Sequence, residues 1–245
     1  MKQNIYDDRE FFENYAKMPR SIDGLNAAGE WHILKKMLPG FQGKNVLDLG
    51  CGYGWHCIYA KEQGAENVIG VDLSKKMIDK AKENSKQVSI EYHQMPIEDI
   101  EFENEQFDIV FSSLTFHYIE DLNVIFRKIN RFLKKGGSFV FSIEHPVFTS
   151  KSEQDWFKDE SGKRLHWPVD NYQDEGIRQT NFLGHQVIKY HRTVAGILNA
   201  VVEANFSIQQ VSEPKPSDEI IEKYPEMKDE LRRPIFMMVA ALKKN

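Results

Sequence analysis

The sequence predicts an α/β fold of three layers, a mainly parallel sheet with helices on both faces. Three observations predict it. Between residues 45 and 146 strand-like and helix-like stretches alternate five times. The stretches NVLDLG, NVIGVDL, FDIVFSSL and SFVFSIE are dominated by apolar residues, as strands covered on both faces are. The segments between them are long enough for right-handed crossovers, which make consecutive strands parallel.

The elements follow in order. Phe11, Phe12, Tyr15 and Met18 recur at helical intervals, so the first 45 residues read as helical, with a second helix over Asn26 to Met37 stopping before Pro39-Gly40. A strand over 45–50 leads into a glycine turn and a helix from Trp55 to Gln63, ended by Gly64. The strand at 67–73 meets Ser74, a cap for a helix from Lys75 to about Ser85. Strands are expected at 88–95 and 107–114, then a helix from Leu122 to Leu133 closed by Lys134-Lys135-Gly136-Gly137, then a strand at 138–146 that Pro146 terminates. From Val147 the chain is polar, aromatic-rich and without period until GHQVIKYHR, which alternates as a strand does. A helix over 193–206, a strand over 206–213 and a strand over 233–244 complete it. A single domain over 1–245 is expected, with 1–40 and the insertion 147–190 placed to cap a cleft.

Composition narrows the function. The chain is 245 residues long, 41% hydrophobic, with interspersed charges summing to −5. It has no cationic block, so nucleic acid is not an expected partner. The stretch MKQNIYDDREFFENYAK lacks an apolar segment, so no secretory signal is expected there. No window approaches the roughly 18 apolar residues of a membrane span. Two cysteines, Cys51 and Cys57, do not make a disulfide framework, and the expected compartment is the cytoplasm. The eight histidines form no H-x-x-x-H pair, so no metal is expected. Monomer and homodimer are equally open.

The stretch VLDLGCGYGWHCIYA carries the chemistry. Gly50, Gly52 and Gly54 let the backbone approach a ligand at the carboxyl end of the first strand. A dinucleotide fingerprint would place its third glycine at position 55, which is Trp55. Asp48, two residues before the turn, would repel a pyrophosphate and attract a sulfonium or ammonium. Asp72, ending the second strand, is placed to accept from ribose hydroxyls. A ribose, a positive charge and no phosphates together describe S-adenosylmethionine.

With these residues the sequence resembles the class I S-adenosylmethionine-dependent methyltransferases. VLDLGCGYG looks like their first motif, VIGVDLSKKMIDKAK their second, FDIVFSSLTFHYI their fourth and LKKGGSFVFSIEHP their fifth-strand motif, together spanning about 44–146. The resemblance implies a Rossmann-like seven-stranded sheet whose last strand is antiparallel, with S-adenosylmethionine as cofactor. It places Asp48, Gly50, Cys51 and Gly52 at the methionine end, Asp72 at the ribose, and Leu73 and Met77 beside the adenine. Ile97 and Glu98 fall on its adenine loop. There Pro96 stands where the commonest form has an Asp, leaving the amino contact to Glu98 or Asp99. Ser112 lies near the cofactor.

Methyl transfer asks the protein to align the acceptor, exclude water and, for a hydroxyl or acidic carbon, supply a base. His117 after the fourth strand, Glu144 and His145 at the end of the fifth, and His191 after GHQVIKY are the candidates, each alternatively a structural residue of its turn. Tyr15, Tyr172, Arg178 and Arg192 are candidate substrate contacts, with Glu175 beside them. The rings Phe148, Trp156, Phe157, Trp167, Tyr172 and Phe182 would line a cap over a small molecule. The expected activity is methyl transfer to O, N or C of a small molecule. A macromolecular (tRNA or protein) methyltransferase and a non-catalytic S-adenosylmethionine-binding protein are the alternatives.

Overall fold

A computed structural model describes residues 3–244. Residues 1, 2 and 245, which the single-domain expectation included, lie outside the described residues. Helix α1 (Arg9–Tyr15) starts at Asp8, whose side chain accepts from the Phe11 N–H, and buries Phe11 completely. The short α2 (Pro19–Ile22) follows. The second predicted helix is split into a 3-10 turn over Gly24–Ala27 and α3 (Trp31–Met37), because Ala28 is extended between them. Gly29 just beyond it, a poor helix residue, is packed against Met227.

The chain then winds through β1 (Asn45–Leu49), α4 (Trp55–Glu62), β2 (Asn67–Asp72), α5 (Lys75–Asn84), β3 (Glu91–Gln94), β4 (Phe107–Ser113), α6 (Leu122–Phe132) and β5 (Leu133–Glu144). Strand β5 begins five residues earlier than its apolar pattern: Leu133 already pairs with Phe107, and a register shift absorbs the Lys-Lys-Gly-Gly run. The insertion contributes α7 (Pro146–Thr149) and two hairpins, β6 (Phe157–Lys158) with β7 (Arg164–His166) and β8 (Gly176–Phe182) with β9 (His185–His191). Strand β8 gives no apolar alternation because its inward residues are Arg178 and Thr180. The chain ends with α8 (Val194–Glu203), β10 (Phe206–Ser212), α9 (Asp218–Lys223) and β11 (Phe236–Lys243).

The main sheet has seven strands in the order β10-β11-β5-β4-β1-β2-β3. Strands β1 to β5 are parallel, and β11 runs antiparallel to both β5 and β10. Strand order reverses between β1 and β4, so the carboxyl ends of these two strands flank the crevice where such sheets bind ligands. The core is densest on the α6 face. There Leu122, Ile125, Phe126, Ile129 and Phe132 meet Phe107, Phe116, Phe139 and Phe141, all at most 3% exposed. Each such side chain contributes about 1.5–3 kcal/mol, and together they clamp the β4 and β5 ends that carry the site. No helix among the described residues is long and apolar enough to cross a membrane.

Candidate active site

The site grows from the β1–α4 turn. Gly50 adopts φ +77° and Gly52 φ +51°, left-handed conformations that favour glycine. The Gly50 and Cys51 N–H groups donate to the Val71 carbonyl, at 2.8 and 3.0 Å, which ties the turn to the end of β2. A Cβ on Gly52 would meet nothing within 4 Å, so this backbone faces open space. Asp72 holds the turn from the other side: Oδ2 accepts from the Gly52 N–H and Oδ1 from the Ser74 N–H, both at 2.9 Å. Burial pushes its carboxyl up to about 6, against those backbone donors. Ser74 caps α5 by accepting from the Met77 N–H, which sets Leu73 and Met77 beside Asp72.

These residues line a cavity of about 1210 Å³ at the carboxyl ends of the strands. That exceeds the ~300–1,000 Å³ of a usual single-ligand pocket, so it has room for two molecules. Gly50, Cys51, Gly52, Asp72, Leu73, Met77, Ile97 and Glu98 lie along one side. The carboxylate, the open glycine backbone and the apolar pair Leu73 and Met77 fit a ribose, an amino-acid tail and a purine in that order.

Beyond the turn the walls change. His117, Glu144, Gln154, Phe182 and Lys189 line the cavity with Tyr6, Tyr15 and Tyr118. The Tyr6 and Tyr118 hydroxyls are 3.1 Å apart, and the Tyr6 and Tyr15 rings meet edge to face. Lys189 Nζ donates to Glu144 Oε1 at 2.6 Å and to Gln154 Oε1 at 3.0 Å, while Gln154 Nε2 donates to Glu144 Oε2 at 3.1 Å. His117 Nε2 lies 3.9 Å from Glu144 Oε1. Burial pushes His117 down to about 4, outweighing the Glu144 charge, so its imidazole is neutral near pH 7. Burial would raise Glu144, but His117, Lys189 and Gln154 outweigh it and hold the carboxyl below its ordinary value.

Other residues singled out in the sequence stand elsewhere. Asp48 is 2% exposed and does not line the cavity. Its Oδ2 accepts from Cys57 Sγ at 3.2 Å, its Oδ1 has no hydrogen-bond partner among the described residues, and burial pushes it up to about 7. The expected carboxylate beside the ligand is therefore replaced by one packed beneath α4. Ser112 donates to the Leu49 carbonyl inside the sheet. His145 caps α7 through Nδ1 and meets Glu213 through Nε2, at 2.8 Å. His191 bridges Thr149 and the Tyr172 carbonyl with no exposure. The Tyr172 hydroxyl accepts from the Val194 N–H. Arg178 donates to the carbonyls of Ser150, Asn171, Asp174 and Ile177, and Arg192 to those of Ile119, Glu120 and Tyr190. Arg178 and His191 hold the insertion together internally, His145 ties α7 to Glu213 beyond β10, and Arg192 ties the end of β9 to the loop before α6. Trp156 and Trp167 enclose Arg233 together with Phe148, and of the three only Phe148 reaches the cavity.

Sequence reading missed Lys189, Gln154, Arg20, Tyr6 and Tyr118 as lining residues. Lys189 carried a signal, an isolated Lys at an inward position of the alternating β9. Tyr6, Gln154 and Tyr118 carry none, since 3-10 turns and loops have no period, and Arg20 stands on the four-residue α2, too short to show one.

Comparison with known proteins agrees with this architecture. Residues 47–141 match the family described as Methyltransferase domain. The structure is similar to that of a Listeria monocytogenes protein assigned as an S-adenosylmethionine-dependent methyltransferase. Identity is 50% over 91% of this chain and 100% of that one, with a TM-score of 0.86. An S-adenosylmethionine-dependent methyltransferase from Mesorhizobium loti is 41% identical over 90% of this chain and 100% of its own, with a TM-score of 0.83. An uncharacterised protein of Haemophilus influenzae is 34% identical across 99% of this chain and 98% of its own. Fold, glycine turn and relatives of near-equal length agree: the chain belongs to the class I S-adenosylmethionine-dependent methyltransferases.

Proposed function

We propose that the protein transfers a methyl group to an O, N or C atom of a small molecule held between the glycine turn and the β8–β9 hairpin. The supporting observation is the cavity itself, which continues past the turn under residues of the N-terminal segment and the insertion. These two segments act as its cap. The bound cofactor supplies an already activated methyl group, so the chain has to orient the acceptor and exclude water. Tyr6, Tyr118, Phe148 and Phe182 provide the apolar walls. His117 lines the cavity as a neutral imidazole, and its Nδ1 lone pair, which meets the Glu144 N–H only at 3.5 Å, takes the acceptor's proton as attack proceeds.

Methyl-labelled cofactor should pass its label to the low-mass fraction of a metabolite extract. The rate should fall by about 10²–10⁴-fold in His117→Asn, the usual contribution of a general base. Label found only on retained tRNA or protein would overturn the small-molecule reading.

Asp72 takes the ribose role in this scheme, accepting hydrogen bonds as the carboxylate. With its folded pKa raised to about 6, S-adenosylhomocysteine affinity should be flat above that pH. Below it, affinity should weaken toward tenfold per pH unit as the group protonates. Calorimetric titrations between pH 5 and 8 check this, and Asp72→Asn should lose the pH dependence along with most of the affinity.

A further inference from the structure

We infer that Arg20 binds the carboxylate of the cofactor's amino-acid tail, which makes the N-terminal segment part of the cofactor site. The inference concerns the cofactor end of the cavity and stands whatever the acceptor is. Arg20, on α2, lines the cavity with Gly50, Gly52, Trp55 and His56. A guanidinium carries five N–H donors. In Arg20, Nη2 donates to Glu30 Oε1 at 2.5 Å, and Nε and Nη1 have no hydrogen-bond partner among the described residues. The side chain keeps 23% exposure while Glu30 keeps 3%. The pair is thus anchored on the protein side, with unused donors on the side of the ligand space.

The rest of the turn gives a carboxylate little else to bind. Asp72 is an acid and Asp48 stands outside the cavity. His56 is pushed down to about 3 by burial and by Arg20, so it adds no charge near pH 7. Burial raises the phenols of Tyr6 and Tyr15, which stay neutral. The second basic residue of the lining, Lys189, is engaged by Glu144 and Gln154. Helix α4 adds to the attraction: its cap is Gly54, which has no side chain to satisfy the first-turn N–H groups. Arg20 is a fork suited to a second carboxylate beside Glu30.

The test compares S-adenosylhomocysteine with 5′-methylthioadenosine, the same nucleoside thioether without the amino-acid tail. Calorimetric titration would use the full-length protein, Glu30→Gln, and Arg20→Gln combined with Glu30→Gln so that no buried charge is orphaned. We expect the double variant to bind S-adenosylhomocysteine about 10–100-fold more weakly, the range for charge-assisted hydrogen bonds. Methylthioadenosine should bind within twofold of the parent in both variants, and Glu30→Gln alone, whose amide oxygen can still accept from Arg20, should weaken S-adenosylhomocysteine binding less than the double variant does. Equal weakening of both ligands in the double variant would mark Arg20 as a structural residue and overturn the inference. So would unchanged S-adenosylhomocysteine binding.

Discussion

Gly50→Ala should reduce S-adenosylhomocysteine affinity by more than about 100-fold and cost about 2–5 kcal/mol of stability, adding left-handed strain to overpacking. The position has φ +77°, where an L side chain is strained. An added Cβ would lie 2.1 Å from Thr115 Oγ1, 2.5 Å from its Cγ2 and 2.8 Å from its Cβ. All three side-chain atoms of Thr115 are too close, so rotating its side chain cannot relieve the clash. Either the glycine turn or the turn after β4 has to move. Both wall the same cavity, and the second carries His117 and Tyr118. Thr115→Ala in the same chain removes the two shortest contacts and should restore part of the loss. Urea unfolding and calorimetry would measure both quantities. Binding that survives Gly50→Ala within tenfold would show that the turn tolerates displacement.

Lys189→Met should be the most destabilising single change in the insertion, at about 3–5 kcal/mol, the usual loss when one partner of a buried ion pair is removed. Lys189 is 2% exposed and its partner Glu144 12%. Without the ammonium, burial acts on Glu144 with less to oppose it, and its folded pKa should rise above the ordinary carboxylate value near 4.3. A group raised in the folded state contributes stability below its unfolded pKa and loses it as pH rises through the folded one. The deficit of Lys189→Met relative to the parent should therefore be larger at pH 8 than at pH 5. Adding Glu144→Gln removes the orphaned charge and should recover most of it. Chemical unfolding at the two pH values distinguishes this from lost packing, which would cost the same at both. Because the pair joins β9 to the end of β5, the same variant loosens the wall beside His117.

Local rules carried the sequence reading where the structure obeys them locally. The glycine turn, the Ser74 cap and the amphipathic α6 are each set within a few residues, by backbone conformation, a capping hydroxyl and a helical period. Strand β8 was not legible, because Arg178 and Thr180 occupy its inward face and satisfy themselves on carbonyls rather than on a core. The rings of the insertion were legible as a cluster but not in their use: Trp156 and Trp167 pack on Arg233, which is more than sixty residues away along the chain.

Asp48 shows the boundary most sharply. The residues around it announce a ligand turn at the end of a buried strand, and the turn is there. An acid two residues upstream of such a turn sits within the strand, and whether its side chain reaches the cleft depends on which helix covers that face. Here α4 covers it, and Cys57 takes the carboxyl.

The sequence by itself determined the sheet, its crossovers and the glycine turn after β1, because these depend on periods, caps and glycines read over short spans. Only the tertiary structure decided the far wall of the cavity. Lys189, Gln154, Glu144, His117 and Tyr6 come from five separate segments, and no spacing along a chain encodes which of them meet. Lys189 and Glu144 are partnered, with Gln154 between them, because burial makes an unpaired charge costly and the packed fold supplies the partner.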